Sequence, residues 1–234
     1  MLKETDLAKH VVAWLEAQHW DVYQEVDVRG FSGIADIVAV RASIVWVIEC
    51  KSSLTFAVLN QAQRWPVHLR SVAVPACERG SDARAAAVKC AVDYFGVGVI
   101  EVRVYRGATL DVVEKAAPPL KRCYHKRAKA LAAKLLPEHK TAAPAGSIGG
   151  GGRWTPWRNT LYDVERRLRE APNGLTLREL VTNGGTYHYA STASARSGLR
   201  AMMENFEKER FEARRDGDSK TVRYYVRAAS AVAQ

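Results

Sequence analysis

Apolar positions recur every three to four residues at Leu7, Val11, Val12, Trp14 and Leu15, which predicts a first helix capped by Thr5 or Asp6 and running to about Gln18. From Asp21 the period shortens to two. Val22, Val26 and Val28 stay in phase and predict a strand over 21–28. Two richer apolar runs, 33–40 and 44–51, predict strands joined by a short turn at Arg41, Ala42 and Ser43. A helix is expected from Phe56 to Leu69, kinked or ended by Pro66, then a short buried strand over 71–75. An Ala-rich helix over 82–95, a β-branched strand over 97–104 and an edge strand near 109–113 complete the series. The order α-β-β-β-α-β-α-β predicts an α/β domain with a mixed sheet flanked by helices.

Beyond Pro118-Pro119 the pattern changes. Lys121, Arg122, Lys126, Arg127 and Lys129 crowd one predicted helix, backed by Leu131, Leu135 and Leu136. Residues 137–152 are rich in Pro, Ala, Gly and Ser, end in four glycines, and read as a flexible linker. Helical periodicity returns over 157–169, after the Thr176 cap, and over 191–206. A hairpin over 211–227 follows, its turn marked by Asp216-Gly217-Asp218. Three helices and then a hairpin is the order of a winged helix. The predicted organisation is therefore 1–117 as the α/β domain, 118–153 as basic helix and linker, and 154–228 as a winged-helix domain.

The 234 residues are 47% hydrophobic with only eight prolines, which excludes global disorder. No apolar run approaches the roughly 20 residues that cross a bilayer, and no signal peptide is visible. Cys50, Cys77, Cys90 and Cys123 form no C-x-x-C pair, which argues against a zinc ribbon or a disulfide framework. A soluble, reduced, cytoplasmic protein without membrane partners is the expectation. Net charge is +10, unevenly spread: residues 1–114 hold 12 Lys and Arg against 14 Asp and Glu, and 115–234 hold 23 against 11. Such asymmetry points to a polyanion gripped by the second half.

The two apolar strands carry ionisable residues that need an explanation, because a buried charge is costly unless paired or bound to metal. Asp36 shares a face with Ile34, Val38 and Val40, and Glu49 and Lys51 share one with Val45 and Val47. If Ala42-Ser43 is a two-residue loop, Arg41 faces Ile44 and Asp36 falls directly opposite Glu49, with Cβ atoms about 5 Å apart. Two such carboxylates repel unless a cation lies between them. Mg²⁺ suits them, since it takes one or two carboxylates plus waters and phosphate oxygens. A longer loop would make the pair diagonal and leave a structural Glu–Lys or Asp–Lys ion pair as the reading.

Asp36 followed by Glu49-x-Lys51 resembles the signature of the PD-(D/E)XK nuclease superfamily, whose common core is αβββαβ. Glu4-Thr5-Asp6-Leu7, Leu15-Glu16-Ala17-Gln18, Glu25-Val26, Asp36-Ile37-Val38-Ala39 and Gln61-Ala62 are similar to an uncharacterised phosphodiesterase branch of it. Ala35 replaces the proline of the motif's first letter. The resemblance implies a restriction-endonuclease-like core in which Asp36, Glu49 and the Cys50 carbonyl bind Mg²⁺ (or Mn²⁺) and Lys51 orients or activates a water. It implies Glu4 as an additional catalytic acid and Gln61 as a residue holding nucleophile or substrate. Glu4 reads equally as an ordinary acidic first-turn residue. No Ser-His-Asp or Cys-His set and no phosphate loop is recognisable.

In a winged helix the third helix enters the major groove and the wing touches backbone or minor groove. Ser194, Arg196 and Arg200 on the third helix, and Arg214, Arg215, Lys220 and Arg223 on the wing, are therefore expected to contact DNA. Lys121, Arg122, Lys126 and Arg127 are expected to track its phosphates. The expected function is a Mg²⁺-dependent DNA endonuclease positioned by its winged helix. A homodimer fits double-strand cutting by one site per chain. The alternatives are a transposition-type nuclease subunit working with recombination or repair partners, and a non-catalytic DNA-binding regulator with a vestigial site.

Overall fold

A two-residue turn organises the sheet. Ala42, at φ +53°, closes the hairpin between β2 (Ile34–Arg41) and β3 (Ile44–Cys50), so Arg41 faces Ile44 and Ile37 faces Ile48. β1 (Asp21–Asp27) lies antiparallel on the outer side of β2. β4 (Leu69–Pro75) and β5 (Gly98–Tyr105) continue parallel to β3, and β6 (Ala108–Ala116) closes the sheet antiparallel. The result is a six-stranded mixed sheet in chain order, the α/β architecture expected. The computed structural model describes residues 3–27, 30–31, 33–77, 82–105, 108–146, 154–182, 184, 188–215 and 221–227. Two compact units divide the chain, residues 1–154 and 155–234.

α1 (Glu4–Glu16) buries Leu7, Ala8, Val11 and Leu15 among Trp20, Ile37, Trp46, Ile48 and Ile100. It begins before the expected caps: Lys3 occupies the N-cap and makes no side-chain capping bond. The parallel steps need crossovers, supplied by α2 (Phe56–Gln63) and α3 (Asp82–Asp93), which share a core with Val72, Val74 and Val99. α2 stops well short of Leu69. Pro66 disfavours helical backbone at Trp65, and the chain turns there, sending the indole back toward β3.

Residues 118–146 belong to the first unit rather than to a separate linker. A 3₁₀ turn (Arg122–Tyr124) leads into α4 (His125–Ala132), whose Ala128 and Leu131 pack with Val38, Val45 and Val47. His68, buried, locks its start. Nδ1 accepts from the Val45 N–H at 3.1 Å, and Nε2 lies 3.0 Å from His125 Nδ1. A second 3₁₀ turn (Pro137–Lys140) follows, and Ala143 and Ala145 are buried. The small residues that read as flexible allow close packing here. Residues 147–153, including the four glycines, lie outside the described residues. The boundary also redistributes charge: residues 115–154 hold nine Lys and Arg against one acid, whereas 155–234 hold fourteen against ten.

The second unit contains α5 (Pro156–Glu170), α6 (Leu177–Thr182) and α7 (Thr192–Ala201), which runs on as a π-helical turn (Met202–Phe206). A hairpin of β7 (Phe211–Arg215) and β8 (Val222–Val226) completes it. Leu161, Val164, Leu180, Leu199, Met202, Phe211 and Tyr224 form its core. The expected Asp-Gly turn and Lys220 lie outside the described residues. Gly198 in α7 offers a stability test. Ala in place of a helical Gly ordinarily gains about 1 kcal/mol, but a Cβ at Gly198 would overlap the Tyr189 ring. Gly198→Ala is therefore expected to lower the unfolding midpoint by several degrees in calorimetry. A rise would show that Tyr189 yields freely.

Candidate active site

Period-two alternation and the hairpin register bring Asp36 and Glu49 together, as the sequence predicts. The two carboxyl groups lie within hydrogen-bonding reach on one face of the sheet. Asp36 Oδ2 accepts the Cys50 N–H at 2.8 Å, so its side chain holds the end of β3 on the β2 side, beyond the Ile37–Ile48 pair. Glu49 is fully buried. Its Oε2 accepts from Gln61 Nε2 at 2.7 Å and its Oε1 from Trp65 Nε1 at 2.7 Å. Gln61 thus orients Glu49, a different contact from the nucleophile or substrate expected of it. Trp65 is a site residue that the pattern did not reveal; the indole next to Pro66 read as helix.

Lys51 collects the remaining oxygens. Its Nζ donates to Asp36 Oδ2 at 3.0 Å and to the Cys50 carbonyl at 3.0 Å, and lies 3.5 Å from Glu4 Oε2. Glu4 also accepts the Ser52 N–H at 3.4 Å, which joins α1 to the loop after β3. Glu25, buried and at φ +49°, stands in β1 opposite Asp36 in the register that flanks it, a backbone state that costs a non-glycine residue about 1–2 kcal/mol.

The electrostatics follow from this crowding. Burial, then the Asp36 charge, pushes Glu49 up to about 8, against the Trp65 bond and Lys51, which pull it down. For Lys51, burial works to lower the pKa, but Asp36, Glu4 and Glu49 together raise it. The Cys50 thiol is pushed well up, first by burial and then by Asp36, so the side chain is an inert core residue. A carboxyl held above its unfolded value makes the folded state retain protons that the unfolded chain has released. Stability therefore falls as pH rises from about 4.5 toward 8. His68 and His139, both lowered chiefly by burial, contribute in the opposite sense near their ordinary range. The isolating comparison is thus with Glu49→Gln. In EDTA, thermal melts from pH 5 to 8 are expected to show the wild type losing stability relative to Glu49→Gln; a constant difference would refute the burial argument.

No family model matches this chain, and no curated protein matches it. Among solved structures, a protein of unknown function from Silicibacter pomeroyi is similar, at 20% identity and a TM-score of 0.37, over 57% of this chain and 85% of that one. The residues themselves therefore carry the functional reading.

A divalent metal, which the nuclease resemblance implies, can be tested against these residues. Among the described residues no three His, Cys, Asp or Glu side chains gather as a ligand cluster. The donors on offer are two carboxylates and the Cys50 carbonyl, all hard oxygens, and an ammonium already bridges two of the three. That set fits Mg²⁺, which binds through one or two carboxylates and keeps its waters, better than it fits a soft metal.

The residues expected to bind DNA divide into two groups. Arg122, Lys126, Arg127 and Lys129 are exposed around α4, with Arg127 also reaching the Gly30 carbonyl at 3.4 Å and lying over the Phe31 ring, while Lys121 is half-buried. In the second unit most of the expected groups are engaged within the fold. Ser194 caps α7 with Ser191, and Arg200 hydrogen-bonds Tyr224, whose hydroxyl donates to Glu204 at 2.6 Å. Arg214 pairs with Glu212 and lies over the Tyr225 ring, and Arg223 bonds the Gly174 carbonyl at 3.3 Å. Arg196 and Arg215 are exposed. No helix among the described residues is long and apolar enough to cross a membrane.

Proposed function

We propose that the chain is a metal-dependent nuclease of the PD-(D/E)XK type, hydrolysing DNA phosphodiesters, with a winged-helix unit at its C-terminal end. The observation that carries this reading is the meeting of Asp36 and Glu49 on one sheet face with Lys51 against Asp36. Burying two acids so close together in an otherwise apolar hairpin is costly, and Lys51 pairs with Asp36 alone of the two, so a divalent cation would relieve the pair.

Asp36, Glu49 and the Cys50 carbonyl would hold Mg²⁺ or Mn²⁺. When bound, the ion supplies Lewis acidity toward the phosphoryl group and lowers the pKa of a bound water. The protein's own residues do the rest. Trp65 and Gln61 each donate to one Glu49 oxygen and fix its carboxylate plane. The Cys50 N–H fixes Asp36 in the same way. Lys51 presents a cation beside the acids, where it orients the attacking water and offsets negative charge developing on the phosphate. Glu4 holds that ammonium from the opposite side. The basic surface around α4 supplies sequence-independent attraction for the DNA backbone.

The decisive test is incubation with plasmid, linear, branched and single-stranded DNA in Mg²⁺, Mn²⁺ or EDTA. Metal-dependent cleavage that EDTA stops is the expected result. An absence of cleavage together with no Mg²⁺ or Mn²⁺ binding in calorimetry would leave a DNA-binding protein with a vestigial site.

A further inference from the structure

The first turn of α1 must hold Glu4 against Lys51 and Ser52 without a capping side chain at Lys3. Residues 137–146 take over that work. They return along β1, where the Gln24 amide grips the segment at two points: Nε2 donates to the Lys140 carbonyl at 3.0 Å and Oε1 accepts the Ala145 N–H at 3.0 Å. Buried His139 stiffens the turn by accepting the Leu136 N–H at 3.0 Å. Lys140 reaches Asp21 at 2.9 Å and lies over the Tyr23 ring. Ala145 enters the core formed by Leu7, Ala8 and Val11 of α1.

The segment then ends against Glu4 itself. Gly146 is buried and has φ +76°, and a Cβ there would stand 2.8 Å from the Glu4 carbonyl carbon and 3.0 Å from its oxygen. Both conformation and space therefore require glycine. The backbone pressed against Gly146 is that of the residue whose carboxylate meets Lys51 and Ser52.

We propose that residues 137–146 form a strap that seats Glu4, making Gln24 and Gly146 positioning residues for the candidate active site. The proposal rests on the nuclease reading for its effect on turnover, though not for its effect on α1. The lever is short. Glu4 Oε2 is 3.5 Å from Lys51 Nζ, so a shift of about 1 Å breaks the contact, and misplacement on that scale costs up to about 10²-fold in rate.

The test uses the full-length chain with Gly146→Ala, Gly146→Asn and Gln24→Ala, each in the wild-type and in a Glu4→Gln background. Gly146→Ala is expected to lower kcat about tenfold or more while leaving KM within twofold. Asn tolerates positive φ but carries the same Cβ, so it should fail to restore the rate; full recovery would reduce the role of Gly146 to backbone strain and overturn the seat. In the Glu4→Gln background Gly146→Ala should change kcat less than twofold. A full second loss there would mean that the strap does not act through Glu4. Hydrogen exchange reads the seat without any catalysis: the Leu7 amide, bonded to the Lys3 carbonyl at 3.0 Å, should exchange faster in Gly146→Ala and Gln24→Ala while β3 amides stay protected. Unchanged exchange at Leu7 in a folded variant would overturn the proposal even if the wild type cleaves nothing. An inactive wild type with the expected exchange would instead retire the nuclease reading and keep the strap. If Gly146→Ala does not fold, Gln24→Ala carries the same comparisons.

Discussion

Asp36→Asn is expected to give a folded protein that binds DNA with nearly the wild-type affinity and does not cleave it. Asparagine keeps the shape of the side chain and an oxygen for the Cys50 N–H, so the end of β3 should survive the change. What disappears is one of the two charges facing any cation, together with the partner of Lys51 at 3.0 Å. Lys51→Met, which keeps the apolar stem, should leave metal binding and remove the rate. Losses of at least about 10²–10³-fold are expected, the range for removing a single preorganised electrostatic group from a hydrolytic site. Metal titration by calorimetry separates the variants: Asp36→Asn should bind Mn²⁺ poorly and Lys51→Met should not. A secondary sign is available in EDTA. Without the Asp36 charge, the Glu49 carboxyl should titrate closer to its ordinary range, so Asp36→Asn should melt higher than wild type at pH 8. Undiminished cutting by either variant would remove the site assignment.

The second large effect concerns the grip on DNA. Neutralising Lys126, Arg127 and Lys129 to Gln is expected to flatten the dependence of log K on log[salt] by about three, because each phosphate contact contributes about 0.9 to that slope. Affinity near 150 mM salt should fall by at least tenfold. The reason lies in where exposed cations outnumber acids. All three residues stand on the surface of α4, in a stretch with nine cations and one acid. In the second unit, Arg200 and Arg214 are exposed too, but they and Arg223 have partners there, and ten acids offset its fourteen cations. The comparison pair Arg196→Gln with Arg215→Gln should flatten the slope by about two. Fluorescence anisotropy across a salt series distinguishes these outcomes, and an unchanged slope in the α4 variant would place the grip elsewhere. Removal of the second unit should begin after Trp154. A cut at residue 141 would also remove Ala143, Ala145 and Gly146 from the first unit's packing.

Much of the candidate site was legible because a strand has a fixed period and a two-residue turn fixes register. Asp36 and Glu49 could be placed opposite each other from the apolar alternation and the length of the Ala42-Ser43 loop alone. Gln61 was visible as a helical residue, but its attachment to Glu49 was not, since that depends on where α2 crosses the sheet. Trp65 was hidden for a related reason. Its indole reaches Glu49 only because the chain bends before Pro66, and helical periodicity cannot anticipate that bend. Over 137–146 composition misleads: the stretch packs within the first unit. Small residues signal flexibility when nothing packs on them and close approach when something does, and composition does not distinguish the two.

The sequence by itself determined the order of elements, the pairing of the central hairpin and the presence of two acids and a lysine at its end. These depend on contacts among near neighbours, whose geometry the backbone period dictates. Only the tertiary structure decided which cations remain exposed, how Glu49 is held, and that residues near 140 pack beside Glu4. Gln24 finds its partners 116 and 121 residues away. Contacts at that separation depend on the whole fold, which no local pattern encodes.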